Sequence, residues 1–199
     1  MESDFETSSS FSSAENLVKE RQLIARAVGD PAALAELYRM HVERLDRYVR
    51  RRLGNNQDAE DIVANVFMSM VKYIHRFANQ DRPLMAWLYR VATNEMNRSL
   101  RRRRLLQFFH LVKDVPEAPH ENHCDAEMVR LLLQRLPVNY QSVLTLHYLE
   151  QLSLAEVGLV LDLSEATVKT RLFRGRKLFR EELMLVQPNA YSHLTEIVR

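Results

Sequence analysis

The sequence predicts an all-α fold, and three features of the chain support this. It contains only 4 glycines in 199 residues, below the average of about 7%, whereas folds rich in strands need glycine in their turns. Apolar residues recur with helical spacing over most of the chain. The prolines lie between these periodic segments, where proline commonly begins or ends a helix; they are Pro31, Pro83, Pro116, Pro119, Pro137 and Pro188.

The N-terminal helical unit is predicted over residues 17–105, after a Ser-rich acidic tail at 1–16 that we expect to be disordered. One helix begins at Asp30-Pro31, a cap followed by a first-turn proline. A turn at 55–58 precedes the next helix, which has a one-sided apolar stripe formed by Ile62, Val63, Val66, Phe67, Met70, Val71 and Ile74. A loop at 78–83 separates it from a third helix over 84–104.

The second half of the chain is predicted as an acidic linker at 106–125, a C-terminal helical unit at 126–185 and a tail at 186–199. The two units have only about 85 and 60 residues, and domains of that size have modest cores. We therefore expect each unit to gain stability from a partner.

A helix-turn-helix is predicted over residues 152–172. Ser153 and Glu156 have capping-box spacing, Gly158 permits close approach of the second helix, and Asp162 occupies the sharp turn. Ser164 then caps the second helix. Its buried face carries Val168, Leu172, Gly175 and Phe179.

The opposite face of that second helix is small, polar and basic, with six basic residues and no acid over 169–180. Such a capped helix is typical of one that enters the major groove of DNA. The alternative is an ordinary helical hairpin with a solvated basic face. We expect the C-terminal unit to bind duplex DNA.

The helix over 84–104 carries a stripe of aromatic, amide and basic residues within about 100° of one another: Trp87, Arg90, Asn94, Arg98 and Arg101. Aromatic rings stack on unpaired bases, amides contact base edges and guanidinium groups hold the backbone, so the stripe favours single-strand binding. A lone tryptophan can equally pack in a core.

The helix that follows the turn at 55–58 begins with acidic residues at 58–61. These acids compensate the helix dipole and could also dock a basic protein.

The composition and charge restrict the functional classes. The chain is 46% hydrophobic with one cysteine, no membrane span and no secretory signal, so we expect a cytoplasmic protein that does not insert into a membrane. Residues 1–16 and 114–127 hold nine acids and no Lys or Arg, which leaves 28 basic and 17 acidic residues elsewhere. Of the basic residues 23 are arginine, a composition that favours nucleic acid or serves solubility alone.

These segments together resemble the extracytoplasmic-function (ECF) sigma factors of bacterial RNA polymerase over residues 17–184. Similarity to region 2 of that family lies in Asp58-Ala59-Glu60-Asp61-Ile62-Val63, Phe67, residues 86–92, Asn94 and the run 101–104. Similarity to region 4 lies in Leu136-Pro137, Tyr140, Val143-Leu144, Leu152-Ser153, Glu156-Val157, residues 167–172, Arg174 and Arg176-Lys177.

The resemblance implies a dissociable promoter-specificity subunit of RNA polymerase, and assigns three sets of site residues. Docking on core polymerase, at the clamp coiled coil, is implied for Asp58, Glu60, Asp61 and Phe67. Capture of the opened non-template strand of the −10 element is implied for Asn79, Trp87, Arg90, Asn94, Asn97, Arg98 and Arg101. Contact with the duplex −35 element is implied for Glu165, Ala166, Thr167, Lys169, Thr170, Arg171, Phe173, Arg174 and Lys177.

The resemblance further implies an anti-sigma factor, often membrane-anchored, and a linker that extends toward the RNA channel of the polymerase. The chain departs from the family at Arg98, where members often carry Asp, and at Asp162 and Ala166, where they often carry Gly.

The residues offer three alternatives to this function. A stand-alone helix-turn-helix regulator would explain residues 152–177 but not the stripe over 84–104. A nucleic-acid enzyme should show clustered carboxylates or a metal site, and no catalytic motif or cofactor site is present. His120, His123 and Cys124 could hold a metal, but they lack a fourth ligand at fixed spacing, so we expect no metal site.

Overall fold

A computed structural model describes residues 14–54, 56–77, 82–108 and 125–186. Within these ranges the chain is helical and has no strand, which confirms the all-α prediction. The predictions for the N-terminal tail up to residue 13, the loop at 78–81, most of the linker and the C-terminal tail lie outside the described residues. None of the described helices is long and apolar enough to cross a membrane.

The N-terminal unit contains four α-helices: α1 (Ala14–Ala27), α2 (Pro31–Leu53), α3 (Asn56–Tyr73) and α4 (Leu84–Phe108), with a 3-10 turn at Ile74–Arg76 after α3. As predicted, Asp30 caps α2, and its carboxylate accepts a hydrogen bond from the Ala32 N–H at 2.9 Å. The hydrogen bond from Arg26 and the capping contact together lower the pKa of Asp30. At the other end, Gly54 adopts φ +70° and its N–H donates to Arg50 O, a left-handed cap that suits glycine.

The C-terminal unit contains α5 (Asp125–Arg135), α6 (Val138–Leu144), α7 (Leu154–Leu161) and α8 (Glu165–Val186). A π-helical segment, Thr145–Leu149, directly follows α6; the apolar spacing gave no indication of it. Pro137 precedes α6 as expected. The predicted helix ends are displaced by a few residues in α1, α3, α4 and α5, a common difference because terminal turns have few internal hydrogen bonds.

The apolar stripe of α3 is buried, with one exception. Six of the seven residues are in the core, but Val71 is 53% exposed, so its prediction was wrong. At 100° per residue, the other six span an arc of about 140°, and Val71 falls about 40° beyond its edge. It therefore faces solvent at the margin of the helix.

The two units share one continuous hydrophobic core instead of having separate ones. Leu133, Leu136 and Leu152 of the C-terminal unit belong to the same buried cluster as Leu45 and Leu88 of the N-terminal unit. A polar contact crosses the same boundary, because Gln134 Nε2 donates to Arg52 O at 3.0 Å. In this arrangement the partner that each small unit packs against is the other half of the chain.

Candidate nucleic-acid interface

The rotation of α4 is fixed by a buried polar network beneath it. The hydroxyls of Tyr48 and Thr93 are 2.7 Å apart and hydrogen-bonded. Arg52, only 2% exposed, donates to Tyr48 Oη at 3.4 Å and to Asn97 Oδ1 at 3.0 Å. Buried polar groups of this kind specify one arrangement of the helices they join, since each loses its partner if a helix turns.

The start of α4 is held by a side chain from α1. Glu20 is buried, and its Oε2 accepts a hydrogen bond from the Leu84 N–H at 3.0 Å. Its Oε1 lies 3.0 Å from Nε2 of the buried His41 on α2. One carboxylate therefore ties α1 and α2 to the first turn of α4, where an acid is also favoured by the helix dipole.

Of the α4 residues predicted to contact the −10 strand, four line one cleft: Arg90, Asn94, Asn97 and Arg101. Trp87 is half-buried and packs edge-to-face on Phe77, with ring centroids 5.0 Å apart. Arg98 is exposed, with Glu95 at 3.7 Å. Asn79 lies outside the described residues.

The helix-turn-helix has the predicted local geometry. Ser153 and Glu156 form a complete capping box, with hydrogen bonds of 2.8 and 3.2 Å. Asp162 adopts φ 59° and ψ 50°, the left-handed conformation expected at the turn. A Cβ at Gly158 would lie 2.6 Å from Leu163 O, so the glycine is required by the turn backbone itself more than by the second helix.

Helix α8, the second helix of the helix-turn-helix, buries Val168, Leu172 and Gly175, as predicted, while Phe179 is half-buried. Ser164 accepts a hydrogen bond from the Thr167 N–H at 3.3 Å and bonds to its hydroxyl at 2.8 Å. Thr167 is thus engaged in capping the helix. In the preceding helix Val160 is fully buried, whereas Leu161 beside it is only half-buried.

The solvent side of α8 presents the remaining predicted −35 residues. Seven of them are exposed: Glu165, Ala166, Lys169, Thr170, Phe173, Arg174 and Lys177. Phe173 is 65% exposed, unusual for a phenylalanine, and the Thr170 hydroxyl donates to Ala166 O at 2.9 Å. Arg171 differs from these, because it lies on the side of α8 that faces the cleft beside α4.

The acidic start of α3 lies on the surface of the N-terminal unit. Glu60 and Asp61 are exposed, and Glu60 accepts a hydrogen bond from Arg50 at 3.3 Å. Phe67 is only 6% exposed, and packs edge-to-face on Tyr38 at 4.6 Å. Phe67 therefore supports this surface from beneath, while its neighbour Met68 is the exposed apolar side chain.

A polar cleft of about 490 Å³ lies between part of α4 and the C-terminal unit, beside the region where the two are in contact. Arg90 and Arg101 line one wall and Arg171 lines the other, together with Asn139 and Ser142 of α6. Arg90 Nη2 donates to Asp162 Oδ2 at 3.1 Å across the boundary. The predicted −10 face and the helix-turn-helix are thus adjacent, an arrangement that the sequence interpretation did not anticipate.

Glu150 joins the C-terminal unit to the N-terminal unit, and the sequence interpretation missed this role. Its carboxylate accepts hydrogen bonds from Arg51 of α2 at 2.9 Å and from the Tyr89 hydroxyl of α4 at 2.7 Å. Burial, followed by the Glu150 carboxylate, raises the pKa of Tyr89. The only available signal was an acid within an apolar run, which does not identify a partner.

No group of three or more metal-ligating side chains occurs in the part of the chain that the structure describes. The candidate metal ligands His120, His123 and Cys124 lie outside that part.

Two family models match the chain, one to each unit. Sigma-70 region 2 matches residues 37–105, and Sigma-70, region 4 matches residues 126–179. The first match ends at residue 105, just after the basic run 101–104 of α4. The second match covers the whole helix-turn-helix. Helix α1, which supplies Glu20, lies before both matches.

Among characterised proteins, the chain is similar to the ECF RNA polymerase sigma factor SigW of Bacillus subtilis. The two are 30% identical over 171 residues, which cover 78% of this chain and 91% of the relative. It is also 30% identical to the ECF RNA polymerase sigma factor SigE of Mycolicibacterium smegmatis over 170 residues, or 79% of this chain and 65% of the relative.

Solved structures show the same fold. CnrH in complex with the cytosolic domain of CnrY has a TM-score of 0.66 and 25% identity, covering 84% of this chain and 99% of that one. The sigma factor RpoE in complex with the anti-sigma factor NepR from Bartonella quintana has a TM-score of 0.61 and 20% identity, covering 77% of this chain and 98% of that one.

Proposed function

This chain belongs to the ECF sigma factors of RNA polymerase, and from that premise we propose that it divides promoter recognition between α8 and α4. As a sigma factor it binds core RNA polymerase and promoter DNA and directs initiation at selected promoters. In the proposal, α8 contacts the −35 element as duplex and α4 holds the opened strand of the −10 element. The observation that carries the proposal is the exposed polar and basic face of α8, the second helix of a helix-turn-helix whose first helix begins with a complete capping box.

The −35 assignment is supported by the free charges of α8. Within the described residues Lys169, Arg174 and Lys177 form no ion pair with an acid, so their charges are available to phosphates and to guanine edges. Glu165 and Ala166, at the N-terminal end of the helix, lie where recognition helices contact bases.

The −10 assignment is supported by Asn94 and Arg101, which are exposed on one face of α4. An exposed amide can hydrogen-bond base edges, and guanidinium groups hold the strand backbone. Asn97 gives its carbonyl oxygen to Arg52, so we assign it chiefly to orienting the helix. Trp87, half-buried on Phe77, offers only part of its ring for stacking.

Core polymerase is proposed to dock on the acidic start of α3 through Asp58, Glu60 and Asp61, with Phe67 packed beneath them. We further propose that the chain acts in the cytoplasm without catalysis of its own. An anti-sigma factor, of the kind that the NepR complex contains, is proposed to regulate it.

Gel filtration of the purified chain with bacterial core RNA polymerase tests the proposal. We expect co-elution, and displacement of the chain when an established sigma factor is added in excess, because both would occupy one site. If the established factor binds core while this chain elutes separately and protects duplex DNA alone, the chain acts instead as a stand-alone regulator.

A further inference from the structure

The polar cleft beside α4 has the lining of a site for a small anion. Arg90 and Arg101 reach it from α4, and Arg171 reaches it from α8. None of the described residues that line the cleft is acidic. Guanidinium groups bind phosphate oxygens in pairs of parallel hydrogen bonds. Several of them around one space therefore favour a ligand with more than one negative charge.

Two of these three arginines have no internal counter-ion. Arg101 and Arg171 form no hydrogen bond or ion pair within the described residues, whereas Arg90 donates to Asp162 at 3.1 Å. Arg171 is also half-buried, so its charge is less well hydrated than that of a fully exposed arginine. A charge that is partly withdrawn from water without a partner costs free energy, and an anion in the cleft would offset that cost.

A further arginine without a counter-ion lies behind the α4 side of the cleft. Arg52 is only 2% exposed; among the described residues it pairs with no acid, and its Nε has no hydrogen-bond partner. It donates to Oδ1 of Asn97, which lines the cleft, at 3.0 Å. This contact occupies the Asn97 carbonyl and leaves its amide N–H groups for a ligand. Because a buried charge is screened less than an exposed one, Arg52 adds to the attraction of the cleft for anions.

The remaining lining fits the uncharged part of such a ligand. Asn94 of α4 and Asn139 of α6 are exposed and have no partner among the described residues. An amide can both donate to and accept from the edge of a nucleobase. Val138 and Leu161, both half-buried, contribute apolar surface from the C-terminal unit. The volume of about 490 Å³ is in the range of small-molecule sites.

We propose that this cleft binds a nucleotide with at least two phosphate groups. The phosphates lie at Arg101 and Arg171, and the base and sugar contact Asn94 and Asn139. The inference goes beyond the proposed function, and binding does not depend on that function, because the cleft belongs to the free chain. Since Arg101 also has a proposed role at the −10 element, a bound nucleotide and the DNA strand would compete for it.

Isothermal titration calorimetry of the full-length chain, at one fixed salt concentration, tests the inference with ADP and GDP as the probes. We expect saturable binding of at least one probe at a single site, and no binding of adenosine or guanosine, which lack phosphates. Arg171→Ala should weaken nucleotide binding about tenfold, through the loss of a charge-assisted contact. Arg180→Ala removes an exposed arginine of the same helix outside the cleft and should leave the affinity unchanged.

Asn139→Ala separates binding of the nucleoside from binding of its phosphates. We expect this variant to bind the nucleotide about threefold more weakly and to bind inorganic pyrophosphate as the wild type does. Circular dichroism of each variant checks that the helical content is retained. Arg101→Ala carries the test from α4 if Arg171→Ala fails to fold.

Three results would overturn the inference. The first is that neither probe binds saturably, or that only a single-stranded oligonucleotide binds with a dependence on Arg171, which would assign the cleft to DNA. The second is an equal loss of affinity in Arg171→Ala and Arg180→Ala, which would indicate general charge attraction. The third is that pyrophosphate binds as tightly as the nucleotides. Co-elution of the wild type with core polymerase is measured separately, and its failure would contradict the proposed function alone.

Discussion

Arg90 of α4 and Asp162 of the helix-turn-helix turn form a hydrogen-bonded ion pair at 3.1 Å across the boundary between the two units. Asp162 has a second role, because its backbone is left-handed at φ 59°. Asparagine tolerates that conformation as well as aspartate does, whereas alanine does not. The two roles can therefore be separated by substitution.

We expect Asp162→Asn to retain the stability of the turn and Asp162→Ala to lower the free energy of unfolding by about 1 kcal/mol. The exposed ion pair itself should contribute little to stability. Urea denaturation of both variants checks this. An equal loss of unfolding free energy in the two variants would show that Asp162 stabilises the chain through its charge and not through its backbone conformation.

Arg174→Ala is expected to weaken promoter-specific transcription. The side chain is exposed on α8, and loss of one base or phosphate contact costs about 1–3 kcal/mol of binding free energy. Run-off transcription with core polymerase should fall by about fivefold or more. Arg180→Ala, which removes an exposed arginine beyond the proposed site on the same helix, is the control; equal losses would indicate a general charge effect.

Asp61→Ala is expected to reduce affinity for core polymerase while leaving the fold intact, because Asp61 is exposed on α3. Biolayer interferometry with immobilised core measures this. Glu43→Ala removes an exposed acid of α2 and serves as the control. Identical dissociation constants for the wild type and Asp61→Ala would remove Asp61 from the docking surface.

Glu20→Ala is expected to destabilise the chain by about 2 kcal/mol, because it leaves the buried Leu84 N–H without its acceptor. Glu20→Gln retains an acceptor oxygen at that position and should be clearly more stable than Glu20→Ala. Thermal unfolding followed by circular dichroism distinguishes them. If Glu20→Gln is as destabilising as Glu20→Ala, the charge of Glu20 beside His41 contributes more to stability than its hydrogen bond to the Leu84 N–H.

The raised pKa of Tyr89 predicts a loss of stability in alkaline solution. The folded chain retains the phenol proton more strongly than the unfolded chain does, so this contribution is complete below the ordinary pKa of 10 and declines as the pH rises above it. Urea denaturation between about pH 9 and pH 11 should show a steeper decline in wild type than in Tyr89→Phe. Parallel curves would contradict the raised pKa, and with it the burial of the Tyr89 hydroxyl beside Glu150.

The sequence predicted local structure well because local structure depends on nearby residues. The cap at Asp30, the capping box at Ser153 and the left-handed turn at Asp162 are each determined within a few positions, and all three were confirmed. The π-helical segment was not predicted. Its hydrogen bonds join residues five positions apart instead of four, and over a single turn this difference hardly changes the spacing of apolar residues.

The contacts between units could not be predicted from the sequence. Glu150 pairs with Arg51, 99 positions away, and a helical wheel contains no information about such a distance. The same limit applies to Phe67, which was expected on a docking surface and packs beneath it. Residue type and spacing selected the two helices that we propose to contact DNA, whereas which of their side chains remain exposed depends on how the helices pack.

The most direct test of the separate roles proposed for α4 and α8 is permanganate probing of unpaired thymines at a promoter. The promoter is first selected by run-off transcription with core polymerase. With core and wild-type chain, reactive thymines should appear at the −10 element. Asn94→Ala should reduce this reactivity while footprint protection at the −35 element persists, and Arg174→Ala should reduce both. Opening that is unaffected by Asn94→Ala, or that is produced without core polymerase, would contradict the account.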